Sequence, residues 1–179
     1  VGITDGSHNP PKGIDYSENL MLSSKNVFDR SISLDNPRYL SSEDFLKETK
    51  RTKIREGDIL LTIVGTIGRT AIIPENFREI TLQRSVAVLH PDFNKVRSAY
   101  LEQALIHIHQ VIEGESNGVA QKGIYLNQVR NLPINLPGLE KQEQFAIFVK
   151  QVDKLKLVVQ KSLDEIQTLF DSLIQEYFV

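Results

Sequence analysis

The sequence predicts an α+β protein: a mixed or antiparallel β-sheet domain over residues 1–139, then a long coiled-coil-like helix over residues 140–179. Three observations predict it. From Glu140 to Val179 there is no proline or glycine, and Phe145, Val152, Val159, Ile166 and Leu173 recur every seven residues, with Phe148, Leu155 and Leu169 at companion positions. That is a heptad pattern. Upstream, β-rich apolar runs such as Ile59-Leu60-Leu61-Thr62-Ile63-Val64 are bounded by glycine and proline turns, as strands are. Between the two lies one amphipathic stretch, Ser98 to Ile112, with helical spacing.

Taken in order, residues 1 to 58 are polar and punctuated. Asp5-Gly6-Ser7-His8-Asn9-Pro10-Pro11-Lys12-Gly13 reads as a turn-rich loop, because Gly and Pro set the backbone while Asp, Ser and Asn bond it locally. Val27-Phe28 and Ile32-Ser33-Leu34 read as short strands, and Ser41 to Lys50 as a small helix capped by Ser41 or Ser42. Glu56-Gly57-Asp58 turns the chain into Ile59 to Val64, the strongest strand. Gly65-Thr66-Ile67-Gly68 makes a turn, Arg69 to Ile73 returns as a second strand stopped by Pro74, and Ser85 to Leu89 is a third. The Ser98 helix carries Leu101, Leu105, Ile108 and Ile112 on one face, with Ser98 as N-cap and Gly114 as its end. A polar loop, 113–123, follows. Asn127 caps one short turn, and Leu132 to Leu136 reads as a strand with Pro133 and Pro137 at its edges. At about 1.5 Å per residue the last helix would be roughly 55–60 Å long. A domain of this size cannot cover it, so it needs a partner helix.

Composition bounds the function. Residues 1–139 hold sixteen Lys and Arg against sixteen Asp and Glu, and the remainder holds five against seven. A net charge of −2 excludes nucleic-acid binding by bulk electrostatics, so any DNA contact needs a local patch or a more basic partner. There is no cysteine, hence no disulfide framework and no thiolate metal site, which fits a cytoplasmic location. Neither a signal peptide nor an apolar run of membrane-spanning length is found, so no membrane association is expected. The chain starts at Val1 rather than Met, as a trimmed form or a piece of a longer protein would.

Several motifs invite chemistry. Asn9-Pro10-Pro11 resembles the catalytic tetrapeptide of amino-methyltransferases, but Lys12 stands where a base-stacking aromatic belongs, so a turn is the better reading. Asp44, Glu48 and Lys50 spell a loose nuclease-like set, yet on a charged helix they read as a solvated face rather than strand ends converging on magnesium. Gly65 to Gly68 lacks the Gly-Lys-Ser/Thr ending of a phosphate loop, although its exposed amides, Thr66 and Arg69 suit a phosphate. His107 and His109, roughly 200° apart around a helix, cannot share a metal, and His8 and His90 fall in separate loops. No Ser-His-Asp set is evident. Gln83, Arg84, Ser116, Asn117, Gln121 and Lys122 are different in kind, because such side chains read base edges or hold phosphates. Ser7, His8 and Lys12 in the first loop join them as candidates. Lys50, Arg51 and Lys53, with Arg55, form the one dense basic cluster. Ordinary solvated surface is the alternative for each.

Several segments, in order, carry a family resemblance. They are Thr4-Asp5-Gly6-Ser7-His8 with Pro10-Pro11; Gly57-Asp58-Ile59-Leu60 running into Gly65-Thr66-Ile67-Gly68; Gln83-Arg84-Ser85-Val86-Ala87; Ala120-Gln121-Lys122-Gly123-Ile124; and Leu132-Pro133-Ile134-Asn135-Leu136-Pro137, then Leu139-Glu140-Lys141-Gln142. The chain resembles the specificity subunits of type I restriction–modification systems, as one target-recognition domain followed by one spacer helix. The resemblance implies a non-catalytic reader of double-stranded DNA without a cofactor of its own. Modification subunits would bring S-adenosylmethionine and methylate adenine; restriction subunits, where they join, would bring ATP and magnesium for cleavage. Such subunits usually carry two recognition domains and two antiparallel helices. Half that length implies either a fragment or a half-size form that dimerises through Phe145, Phe148, Val152, Leu155, Val159, Ile166, Leu169 and Leu173. A symmetric pair would read a gapped palindrome. Two rivals remain: a coiled-coil scaffold without DNA readout, and a small metal-dependent nuclease using Asp44, Glu48 and Lys50.

Overall fold

The computed structural model describes residues 1–28, 30–115 and 123–178. The chain divides into two compact units, Val1–Leu139 and Glu140–Val179. In the first unit the central sheet runs in the order β1 (Gly2–Asp5), β9 (Val86–His90), β6 (Ile59–Thr62), β7 (Thr70–Ile72), and its pairings are antiparallel. A second sheet joins β5 (Arg38–Tyr39), β2 (Leu20–Leu22) and β8 (Ile80–Leu82), with β2 and β8 parallel. The hairpin β3 (Val27–Phe28) and β4 (Ser31–Ile32) stands beside them. The fold is α+β with mixed and antiparallel sheets, as the sequence predicts.

The apolar run at Ile59 is continuous because β6 is covered on both faces. Ile59 and Leu61 pack with Ile3, Ala87 and Leu89 against Leu101 and Leu105 of α2 (Ser98–His107), Ile112 of α3 (His109–Glu115) and Val129 of α4 (Leu126–Arg130). Leu60 faces the other way, with Ala71, Val86 and Val88, onto Leu20, Leu22, Ile80 and Leu82 of the second sheet. Beyond that sheet, Phe45 of α1 (Ser42–Thr52) closes on Met21 and Leu40. The unit is therefore layered, helices on sheet on sheet on helix.

Several local readings change. The Ser98–Ile112 helix divides at Ile108, where φ/ψ of −93°/18° ends α2. Leu101, Leu105 and Ile112 still reach the core, while His109 packs against the turn at Gly68. Ser98 is the first helical residue rather than the N-cap, which is Arg97, and the Ser98 hydroxyl donates to the Gly57 carbonyl at 2.5 Å. Gly114 lies inside α3. Asn127 lies inside α4, whose cap is Tyr125. Leu132 to Leu136 is no strand: the Ile134 N–H bonds back to the Leu132 carbonyl at 2.9 Å, and prolines at 133 and 137 remove two ladder donors. His90 closes β9 instead of sitting in a loop.

His90 also joins a line that sequence order conceals. Its Nδ1 is 2.8 Å from Asp58 Oδ2 and its Nε2 is 3.3 Å from Thr4 Oγ1. Asp58, fully buried, further accepts from Arg55 Nε at 3.2 Å and from the Arg55 backbone N–H at 2.9 Å. Because Thr4 is held in register opposite Val88 within β1, this hydroxyl–imidazole–carboxylate row acts as a clasp across β1, β9 and β6. Asp58→Asn keeps the shape and removes the charge. Hydrogen bonds to a buried charge are worth about 1.5–3 kcal/mol, so a loss of about 2 kcal/mol in urea unfolding is expected.

The second unit is α5 (Leu139–Phe178), one uninterrupted helix. Phe145, Phe148, Leu155, Val159, Ile166, Leu169 and Leu173 are all exposed along it, and Val152 is half-buried. Among the described residues no helix is long and apolar enough to cross a membrane.

Candidate functional site

One concavity of the first unit is built from segments far apart in sequence. It encloses about 480 Å³ and is lined by Asp5 and His8, by Ile63 and Val64, by Arg84, and by the stretch from Gly123 through Asn127 with Arg130. Backbone bonding explains why these segments meet. The chain leaving β1 crosses from one sheet to the other: Gly6 N–H bonds the Val86 carbonyl at 3.1 Å and Ser7 N–H bonds the Leu82 carbonyl at 2.7 Å. Arg84 N–H returns to the Ser7 carbonyl at 2.9 Å, which locks the Gln83-Arg84 turn beside the Ser7-His8 turn. On the other side, Ile124 N–H bonds the Ile63 carbonyl at 2.9 Å, and Gly123 pairs with Val64.

Only glycine fits at position 6. A Cβ there would lie 2.2 Å from the Leu82 carbonyl oxygen and 2.4 Å from that of Gln83. The same turn is clamped from outside by α1. Ser7 Oγ donates to Glu48 Oε1 at 3.0 Å, and Arg51 donates from Nη2 to Asp5 Oδ1 at 2.9 Å and from Nε to the Asp5 carbonyl at 3.2 Å. His8 Nε2 is 2.6 Å from Asp5 Oδ2; a carboxylate only accepts, so this nitrogen carries the hydrogen. Asp5, the one acid among the described residues that line the cavity, is thus held between Arg51 and His8. Two arginines, Arg84 and Arg130, line the same mouth on a chain of net charge −2. Arg130 is braced by Nη1 donation to Asn127 Oδ1 at 3.1 Å and by Nη2 donation to the Ile3 carbonyl at 3.4 Å.

Residues 14–168 match the family model described as the type I restriction modification DNA specificity domain. The chain belongs to that family. Among relatives of this specificity domain, the type I restriction enzyme EcoBI specificity subunit of Escherichia coli is 29% identical over 158 residues, 85% of this chain and 33% of that protein. A putative type I restriction enzyme MjaX specificity subunit of Methanocaldococcus jannaschii is 27% identical over 128 residues, 68% of this chain and 30% of that one. The chain therefore spans about a third of the length of these relatives. The fold is shared with the HsdS subunit from Thermoanaerobacter tengcongensis (TM-score 0.63, 17% identity, 99% of this chain and 42% of that chain). It is shared too with a chain from a structural study of assembly and conformational transition in a type I R-M system (TM-score 0.68, 18% identity, 97% and 41%).

Within the specificity domain, Ser7, His8, Arg51, Gln83 and Arg84 come together at the two laced turns. Lys12, Lys50, Lys53, Thr66 and Arg69 are exposed elsewhere on the unit. Ser116, Asn117, Gln121 and Lys122 lie outside the described residues. The basic cluster at the end of α1 is divided by pairing, with Arg51 on Asp5 and Arg55 on Asp58, while Lys53 forms the left-handed C-cap. Of the nuclease-like set, Asp44 accepts from its N-cap Ser41 and Glu48 accepts from Ser7. Near Lys12, Tyr16 stacks at a tilt on Tyr39, with 5.1 Å between ring centroids. The Tyr16 hydroxyl, and then Arg78, hold the Glu18 carboxyl below its ordinary range. Sequence reasoning missed Tyr125 and Arg130; the one signal available was their position on a short helix just after the Gly123 segment.

Proposed function

We propose that this chain is a non-catalytic reader of double-stranded DNA, a specificity subunit or a portion of one, that directs adenine methylation by partner modification subunits. The observation that carries the reading is that Arg84 and Arg130 meet at the mouth of one cavity, where Asp5 is held by Arg51 and His8. A chain of net charge −2 approaches DNA through a local cluster of basic side chains or with the help of a more basic partner. Membership of the specificity-domain family supports the same reading. S-adenosylmethionine belongs to the modification subunits in this scheme, and ATP and magnesium to any restriction subunits. The heptad face of α5 pairs with a second copy or with another spacer helix, and two linked weak readers gain affinity through effective concentration. Such an assembly works in the cytoplasm.

The test is the methylome of cells expressing this chain with its modification subunit, read by long-read sequencing. A gapped palindrome that disappears when this chain is omitted is the expected result. A methylation pattern indifferent to the chain would overturn the reading and favour the scaffold.

A further inference from the structure

We propose that the cavity between the Asp5–His8 turn and α4 receives one unstacked base of the target DNA, with Tyr125 as its stacking platform. The inference rests on the DNA-reading function above and names what the site takes. A phosphate contact needs only surface, and a groove-reading element must project outward to reach base edges. This site does the opposite. It is concave, about 480 Å³, within the range of small-molecule pockets, and its walls include Ile63, Val64 and Ile124, aliphatic side chains that offer a phosphate nothing. The part of a duplex that can fill such a hole is a base taken out of the stack, with apolar faces and a polar edge.

The rim agrees. Asp5 is already engaged by Arg51 and His8, and Arg130, at the same rim, faces the phosphates that flank an extruded nucleotide. Asn127, whose Oδ1 accepts from Arg130, keeps amide hydrogens for a base edge. Tyr125 is 65% exposed, and its backbone N–H is fixed by Gln128 Oε1 at 2.9 Å, which sets the ring at the head of α4. An apolar side chain from a partner protein would suit the walls, but it would offer Arg130, whose acceptors are the neutral Asn127 amide and Ile3 carbonyl, no anion.

The experiment uses the full chain assembled with its modification subunits, on a duplex carrying the mapped motif. A fluorescent base analogue that brightens on unstacking is placed in turn at every motif position except the methylated adenines. One position should brighten on binding. Tyr125→Ala should suppress that signal and weaken binding by about 10-fold, in line with the roughly 5- to 150-fold worth of base–aromatic stacking, whereas Tyr125→Phe should keep both. An abasic nucleotide at the same position should bring wild type and Tyr125→Ala to within about 2-fold of each other. Site-specific binding with every position dark overturns the proposal and leaves DNA reading intact, as does brightening that ignores Tyr125→Ala. Weakened association with the modification subunits, at unchanged DNA affinity, would assign the cavity to a protein segment instead. Absence of any site-specific binding would sink the DNA reading itself.

Discussion

Val159→Asp combined with Ile166→Asp should take the assembled protein apart and abolish site-specific methylation. Both side chains lie on the seven-residue step with Phe145, Val152 and Leu173, and they are 58% and 64% exposed on α5. A helix of 40 residues that leaves Leu155, Val159, Ile166 and Leu169 in water presents a seam that another apolar face should cover. Burying a carboxylate there costs several kcal/mol unless it is paired. Two of them should weaken association by roughly a thousandfold or more, from the same desolvation penalty. The helix itself should survive, since aspartate costs it only about 0.7 kcal/mol per position. Sedimentation of the variant as a single chain, with unchanged helical circular dichroism, is the expected result. Gln160→Asp with Gln167→Asp, turned off the seam, should sediment as wild type. A double variant that still associates would mean that the heptad face is not the interface. Loss of association is common to the DNA-reading and scaffold functions; loss of methylation belongs only to the first.

What could be read from the sequence follows the range of the interactions involved. The heptads of α5 and the caps of α1 are local, and the residues state them: Ser41 accepts from Asp44 N–H at 3.2 Å. The run at Ile59 announces a strand because both of its faces are buried. β1, β2 and β8 are another matter. Gly2–Asp5 offers one large apolar residue, and Leu20–Leu22 and Ile80–Leu82 are three residues each. They become strands through partners dozens of residues away, which no local pattern encodes. The Leu132–Leu136 misreading has the same root, since alternating leucine, isoleucine and proline looks extended whether or not a ladder partner exists. The site was legible in parts. Ser7, His8, Gln83 and Arg84 are recognisable by type, but their meeting depends on Gly6 and on the crossing of β1 between sheets. Arg51, read as a phosphate contact, is the counter-ion of Asp5 at 2.9 Å; charge clusters in sequence do not show which members are paired in space.

Gly6→Ala should therefore do more damage than its one methyl suggests. The added carbon would meet the Leu82 oxygen at 2.2 Å, the Leu82 carbonyl carbon at 2.4 Å and the Gln83 oxygen at 2.4 Å. All three are backbone, so no side chain can swing aside. Relief requires the Asp5–His8 turn to withdraw from β8, which gives up the Ser7 bond to Leu82 and strains the Gly6 bond to Val86. Overpacking alone costs about 1–3 kcal/mol, and an abandoned buried hydrogen bond about 1–3 kcal/mol more. A loss of about 3–4 kcal/mol in urea unfolding is expected on those terms. Gly114→Ala, where a Cβ would meet nothing within 4 Å, should be neutral or slightly stabilising. The functional loss should exceed the fraction unfolded. Withdrawal of the turn displaces His8 and frees the Arg84 turn from Ser7, so DNA affinity should fall even where circular dichroism reports a folded chain. If affinity instead tracks the folded fraction one for one, the two laced turns serve the fold alone, and the arginine mouth needs no help from them.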